Sequence, residues 1–303
     1  MAKTPAGFVC TEVETKAAKK YSKQYGQTIV ITNDFVKMMN PALLDALKVL
    51  NKRQRDLAKW GKKEKDDFKD IMGVDGDAYI DDVFYICDMK NKNTYSPSEV
   101  ETITVVEFMR KAVDRMYNIM SQLHVDANPV EVSLPDPCIP ELAPVPDKKV
   151  YKYGNFVNRT FTSQYSAFVE RTATWTCSPE QYKDGLEIHI GYNFCKKNPM
   201  GADSRASTLC HEVSHFYRVE PKGATWASEE DKIKSRGPWG GVGTDDLPND
   251  QDYKQSKGSS GKNIYIEYRE KLKKNHDLGV FKNAYNFELY FELTEKECLI
   301  EAE

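Results

Sequence analysis

Ser204-Arg205-Ala206-Ser207-Thr208-Leu209-Cys210-His211-Glu212-Val213-Ser214-His215-Phe216 decides how the second half of this chain folds and what chemistry it can carry. Ala206, Leu209, Cys210, Val213 and Phe216 recur at helical spacing, so the segment has one apolar face and predicts a buried helix. Asp203 or Ser204 is expected to cap its start, because a short oxygen-bearing side chain accepts hydrogen bonds from the first free amides. His211 and His215 then lie one turn apart, and both imidazoles can reach one zinc ion from the same side. Glu212 falls beside the open coordination position, where its carboxylate can act as general base toward a zinc-activated water.

A hydrolytic zinc site needs three protein ligands and a place for water. Downstream the candidates are His276 and the carboxylates of Gly243-Thr244-Asp245-Asp246, where a leading glycine permits the tight turn that brings a short side chain to a metal. Spacing alone leaves Asp245, Asp246 and His276 all open. Cys210, next to His211, lies on the apolar face and is expected to be a buried thiol rather than a ligand.

Three segments in order, Gly201 to Phe216, Gly243 to Asp246 and Asn283-Ala284-Tyr285-Asn286-Phe287-Glu288, resemble the deuterolysin and peptidyl-lysine metalloendopeptidase family, the aspzincins. The resemblance covers roughly residues 150–300. It implies that the final aspartate of the Gly-Thr-x-Asp motif, Asp246, is the third ligand of one zinc ion, with His211 and His215. It also implies a zincin-like metallopeptidase domain with a small sheet and the HExxH helix, and a peptide bond as the scissile group.

The chain departs from the family in three places. The tyrosine that usually follows Gly-Thr-x-Asp three residues later, and helps hold the oxyanion, is replaced by Asn249. Tyr253 is therefore the first candidate for that catalytic role and Tyr285 the second. In the lysine-specific branch an acidic pair binds the substrate's ammonium group; here Glu288 is kept, while Tyr285 stands in place of the aspartate. Both are expected in substrate binding. Finally, an insertion over Val219–Val242, with Trp226 and Trp239, separates the histidines from Asp246.

The chain has 303 residues, 40% hydrophobic and 29% charged, which suits a globular protein of about two modest domains. Its expected class is α+β: a mainly helical N-terminal domain (1–128), a proline-rich linker (129–149) and the zincin-like domain (150–303). Prolines 129, 135, 137, 140, 144 and 146 mark that linker, since proline removes amide donors and favours extended backbone. In the N-terminal part, Thr11–Gly26 predicts a helix, Gln27–Thr32 a strand, and Asn40-Pro41 a helix start. Ser96-Pro97-Ser98-Glu99 resembles a capping box ahead of a long helix, whose stripe is Val100, Ile103, Val106, Met109, Val113, Met116, Met120 and Leu123. Further on come a helix over Phe161–Trp175, a strand over Leu186–Phe194, and terminal helices over Ile264–Lys274 and Phe281–Glu295.

Charge is evenly spread, 22 basic against 23 acidic residues in 1–150 and 21 against 23 beyond, so no nucleic-acid partner is expected. No stretch approaches the ~20 apolar residues of a membrane span. The start of the chain lacks the apolar core of a secretory signal, and seven scattered cysteines do not form a disulfide framework. Synthesis in the cytoplasm without a cleaved signal is therefore expected. A cytoplasmic peptidase endangers its own cell, so a toxin or effector exported by a specialised secretion system is favoured. Its expected partners are a protein or peptide substrate and an inhibitor or immunity protein. The N-terminal domain is expected as a pro-region, delivery module or target-binding unit. The alternatives are a zinc amidase acting on peptidoglycan crosslinks and a non-catalytic binding protein with a structural metal site.

Overall fold

A computed structural model describes residues 35–87, 95–132, 150–160, 165–169, 186–216, 219–221, 241–248 and 261–299. The expected helix at Thr11–Gly26 and strand at Gln27–Thr32 lie outside them. Helices and two sheets are both present, so the chain is α+β. Among the described residues no helix is long and apolar enough to cross a membrane.

Helix α1 (Phe35–Lys59) opens the described chain and buries Phe35, Met38, Met39, Ala42, Leu43, Ala46, Val49, Leu50 and Leu57, a stripe at helical spacing. It begins five residues before the expected Asn40 cap. Pro41 lies inside it, exposed, where it removes one amide donor. Burial of Phe35, Met38 and Met39 in the preceding turn outweighs that loss. Helix α2 (Lys62–Met72) ends at Gly73, whose φ of 77° is the left-handed stop that glycine adopts freely.

Strands β1 (Tyr79–Cys87) and β2 (Tyr95–Thr104) pair antiparallel, from Tyr79 opposite Thr104 to Cys87 opposite Tyr95. This corrects the helix expected to start at Ser96. The Ser-Pro-Ser-Glu pattern lies in β2, an edge strand that tolerates Pro97, and the following Thr102, Ile103 and Thr104 are β-branched. Helix α3 (Val105–Gln122) starts only at Thr104, whose hydroxyl accepts from the Glu107 amide at 3.3 Å. From Val106 onward the expected stripe is buried.

The second sheet runs β3 (Val130–Val132), β4 (Val150–Tyr153), β5 (Phe156–Asn158), β7 (Ile188–Ile190) and β6 (Ala167–Phe168) in spatial order, with only β5 and β7 parallel. The start of the expected linker is thus an edge strand, and its remainder, 133–149, lies outside the described residues. The expected Phe161–Trp175 helix gives way, where it is described, to β6, which pairs with β7 at Ala167 opposite Ile190. The expected strand stops at Ile190, because Gly191 begins a short helix, α4 (Tyr192–Lys196).

Next come α5 (Arg205–Ser214), β8 (Val219–Pro221), α6 (Gly261–Lys274), a 3-10 turn (Leu278–Lys282), α7 (Ala284–Tyr290) and α8 (Glu295–Leu299). The single helix expected over Phe281–Glu295 is broken at Asn283, which is extended and bridges to Asp245. β8 joins the first sheet, parallel to β1. Helix α5 packs against α1, α3, β6 and α7. Buried side chains from both sides of the expected linker share one hydrophobic core, from Phe35 to Cys298. Arg53 on α1 donates to the Tyr290 carbonyl at 2.7 Å, a further tie across that division.

Candidate metal centre

All ten residues of α5 are buried, which the central position of this helix requires. Ser204 caps it: its hydroxyl accepts from the Ser207 amide at 3.1 Å, and the Ser204 amide donates to the Ser207 hydroxyl at 3.0 Å. Ala206, Leu209, Cys210, Val213 and Phe216 are fully buried, and burial pushes the Cys210 thiol well up, as expected of an inert core cysteine. On the remaining face His211 and His215 stand edge to face, ring centroids 4.9 Å apart.

The last turn of a helix leaves carbonyls without intrahelical donors. Here a returning loop supplies the donors. Gly243, at φ 78°, donates its amide to both Ser214 O and Phe216 O at 3.0 Å, and the Thr244 amide donates to Ser214 O at 3.0 Å. The Ser214 and Thr244 hydroxyls lie 2.6 Å apart. Gly241 packs so tightly that a Cβ there would fall 1.5 Å from Phe216 O. Arg115 of α3 donates to the Gly241 carbonyl at 3.0 Å. From the other side, the Asp245 amide donates to Lys282 O at 2.8 Å and its carbonyl accepts from the Ala284 amide at 3.0 Å.

These bonds deliver the Asp246 side chain to the histidine pair. Its Oδ1 lies 3.1 Å from His211 Nε2 and 3.6 Å from His215 Nε2, and one ligand atom from each residue lies within 4.8 Å of the others. Ligands bonded to a tetrahedral zinc at ~2.0–2.1 Å sit about 3.3 Å apart, close to the two distances from Asp246 Oδ1. The two Nδ1 atoms point away toward acceptors. His215 Nδ1 lies 2.9 Å from Thr244 O, and His211 Nδ1 lies 3.2 Å from Glu288 Oε2. A carbonyl can only accept, so His215 Nδ1 carries the proton and Nε2 offers a lone pair. Two imidazole nitrogens and a carboxylate oxygen suit zinc. Asp245 contributes backbone to the bridge, and His276 contacts Gly73 O instead.

Electrostatics follow from the crowding of acids around buried rings. Burial pulls the His211 pKa down, but the charge of Asp246 and the contacts with Asp246 and Glu288 overcome it and hold the ring well above its ordinary value. Those same negative groups attract a cation. Burial, joined by the charges of Asp246 and Glu288, raises Glu212 to about 8. Burial and the neighbouring carboxylates also push the Tyr285 phenol up, so it remains protonated. Its ring meets His211 edge-on at 4.8 Å and stacks on Tyr265 of α6 at 5.1 Å.

Tyr253, the first oxyanion candidate, lies outside the described residues, as do Asn249, Trp226 and Trp239. Glu288, expected beside the substrate, lies on α7. It is 7% exposed and its two oxygens face protein groups, because α7 packs directly on α5. Sequence reasoning gave no part to Lys197, Thr208, Arg115, Ser214 or Tyr265. Only Ser214 carried a signal, as an internal residue of the pentapeptide. No family model matches the chain, and no curated protein or solved structure is significantly similar to it.

Proposed function

We propose that the chain is a zinc-dependent endopeptidase of the aspzincin kind, with a zincin-like arrangement around α5. The carrying observation is the convergence of His211 Nε2, His215 Nε2 and Asp246 Oδ1, with both Nδ1 atoms turned to acceptors behind them. His211, His215 and Asp246 would hold the ion. When bound, zinc supplies Lewis acidity, which makes water a competent nucleophile near neutral pH and polarises a carbonyl.

The remaining steps belong to side chains. Glu212, next to His211 and 4% exposed, accepts a proton from the attacking water and passes it to the departing amine. Tyr285, whose ring packs against His211 and whose phenol stays protonated, would donate to a developing oxyanion. A water-poor site strengthens such a donor.

Glu212→Gln keeps shape and removes the base. We expect it to retain zinc by metal analysis, while digestion of fluorescent casein falls by at least ~100-fold. Casein digestion at the parental rate would exclude Glu212 as the base. A parent that binds zinc and cuts purified cell wall but not casein would instead show an amidase. Zinc retention with neither activity would mark a structural metal site.

A further inference from the structure

We infer that Glu288, backed by Lys197, is a positioning residue that fixes the His211 ring as a ligand, and that it is not the receptor for a substrate's cationic side chain. This inference rests on the zinc assignment above. Glu288 Oε2 faces His211 Nδ1 at 3.2 Å, whereas Asp246 faces Nε2 of the same ring, so the two carboxylates grip opposite nitrogens. The contact with Nδ1 is off the ideal N–H line. The other oxygen, Oε1, lies 3.7 Å from Lys197 Nζ and 3.5 Å from the Thr208 hydroxyl, which donates its proton at 2.7 Å to the Ser204 carbonyl.

Lys197 is itself held. Its ammonium donates to Asp203 Oδ1 at 2.6 Å and to Thr208 Oγ1 at 2.5 Å, and its side chain is 10% exposed. A substrate ammonium reaching Glu288 would have to displace this lysine and enter a buried layer between α7 and α5. The charge chain Asp203, Lys197, Glu288, His211, Asp246 instead alternates in sign up to the imidazole. An outer carboxylate of this kind fixes ring orientation and raises ligand basicity. His215 has the neutral counterpart, the Thr244 carbonyl. The two histidines therefore differ in what stands behind them, although the pentapeptide presents them as equals.

The test uses the full chain and Glu288→Ala, Glu288→Gln and Lys197→Met. Zinc dissociation constants come from competition with a chelator. Thermal midpoints are taken without metal. kcat and KM are measured on matched peptides with lysine, alanine or glutamate beside the scissile bond. Removal of an outer partner weakens metal binding by ~10–100-fold, and that loss is expected for Glu288→Ala. Glu288→Gln should recover part of it, because an amide oxygen still accepts from Nδ1. The kcat/KM ratio between lysine and alanine peptides should not change in any variant. Loss of lysine preference at parental zinc affinity would overturn the inference and make Glu288 a substrate receptor. Parental zinc affinity in all three variants would also overturn it, leaving the zinc assignment intact. A parent that binds no zinc would remove both. If Glu288→Ala does not fold, the Gln and Met variants carry the same comparison.

Discussion

The two sides of the candidate metal centre are built on different physics. Helix α5 carries His211 on a fully buried element and places His215 at its C-cap, where helical geometry sets the spacing and packing against α1, α3, β6 and α7 sets the orientation. The segment Gly241–Pro248 carries Asp246 without regular structure, and the Asp246 side chain is 43% exposed. That segment is held by hydrogen bonds to carbonyls the helix leaves open at its last turn. One side is thus positioned by apolar burial and the other by capping. A helix C-terminus that needs donors anyway is a cheap place to dock a third ligand.

The largest expected effect tests what the helix side depends on. Deleting residues 1–128, the expected N-terminal domain, removes α1 and α3, two of the elements packed on α5, and the Arg115 contact to Gly241. Each large apolar side chain buried contributes about 1.5–3 kcal/mol, and a whole domain is stable by only ~5–15 kcal/mol. We expect residues 129–303 alone to show no cooperative unfolding transition and no zinc binding. A folded fragment that binds zinc would show that the N-terminal helices are dispensable to α5, as a detachable pro-region would be.

Next in size is the contrast between ligands. His215→Ala removes a ligand fixed by the end of α5 and by the Thr244 carbonyl behind its ring. Asp246→Ala removes a ligand from an irregular segment whose side chain is partly exposed, so water can enter in its place. Both losses should exceed the ~100-fold typical of outer partners, with the histidine loss the greater. Chelator competition on the two variants measures it. Equal losses would mean that the loop is as rigid as the helix.

The same contrast explains what could be read from the sequence. The α5 side was legible to within one residue at its start, where Asp203 and Ser204 both offered a cap. Ser204 caps it, and the apolar residues Ala206, Leu209, Cys210, Val213 and Phe216 are all buried. Periodicity is a local signal, and a helix obeys it. Asp246 was separable from Asp245 and His276 only through a family resemblance, because a loop carries no period. Ser96-Pro97-Ser98-Glu99 misled for a related reason: a capping pattern is four residues long, whereas the strand pairing of Tyr95–Thr104 with Tyr79–Cys87 is decided by distant neighbours. Lys197, Arg115 and Tyr265 act on the site across 11 to 126 positions of sequence separation or through ring stacking, which no local pattern records.

The smallest expected effect isolates one stitch between the two sides. Thr244→Val preserves shape and removes the hydroxyl that meets Ser214 Oγ at 2.6 Å. Ser214 keeps a partner, since its hydroxyl also donates to His211 O at 2.6 Å. The variant therefore does not strand a buried donor, and the loss should be near the net value of one hydrogen bond, about 1 kcal/mol. The Thr244 carbonyl behind His215 and the Thr244 amide on Ser214 O belong to the backbone and survive the change. Zinc affinity should accordingly drop by less than ~10-fold, while the urea midpoint falls with its slope unchanged. A drop beyond 100-fold at unchanged stability would place the grip on Asp246 in the side-chain pair rather than in the capping amides. The loop would then be held by side chains, as the helix is, and not by its backbone.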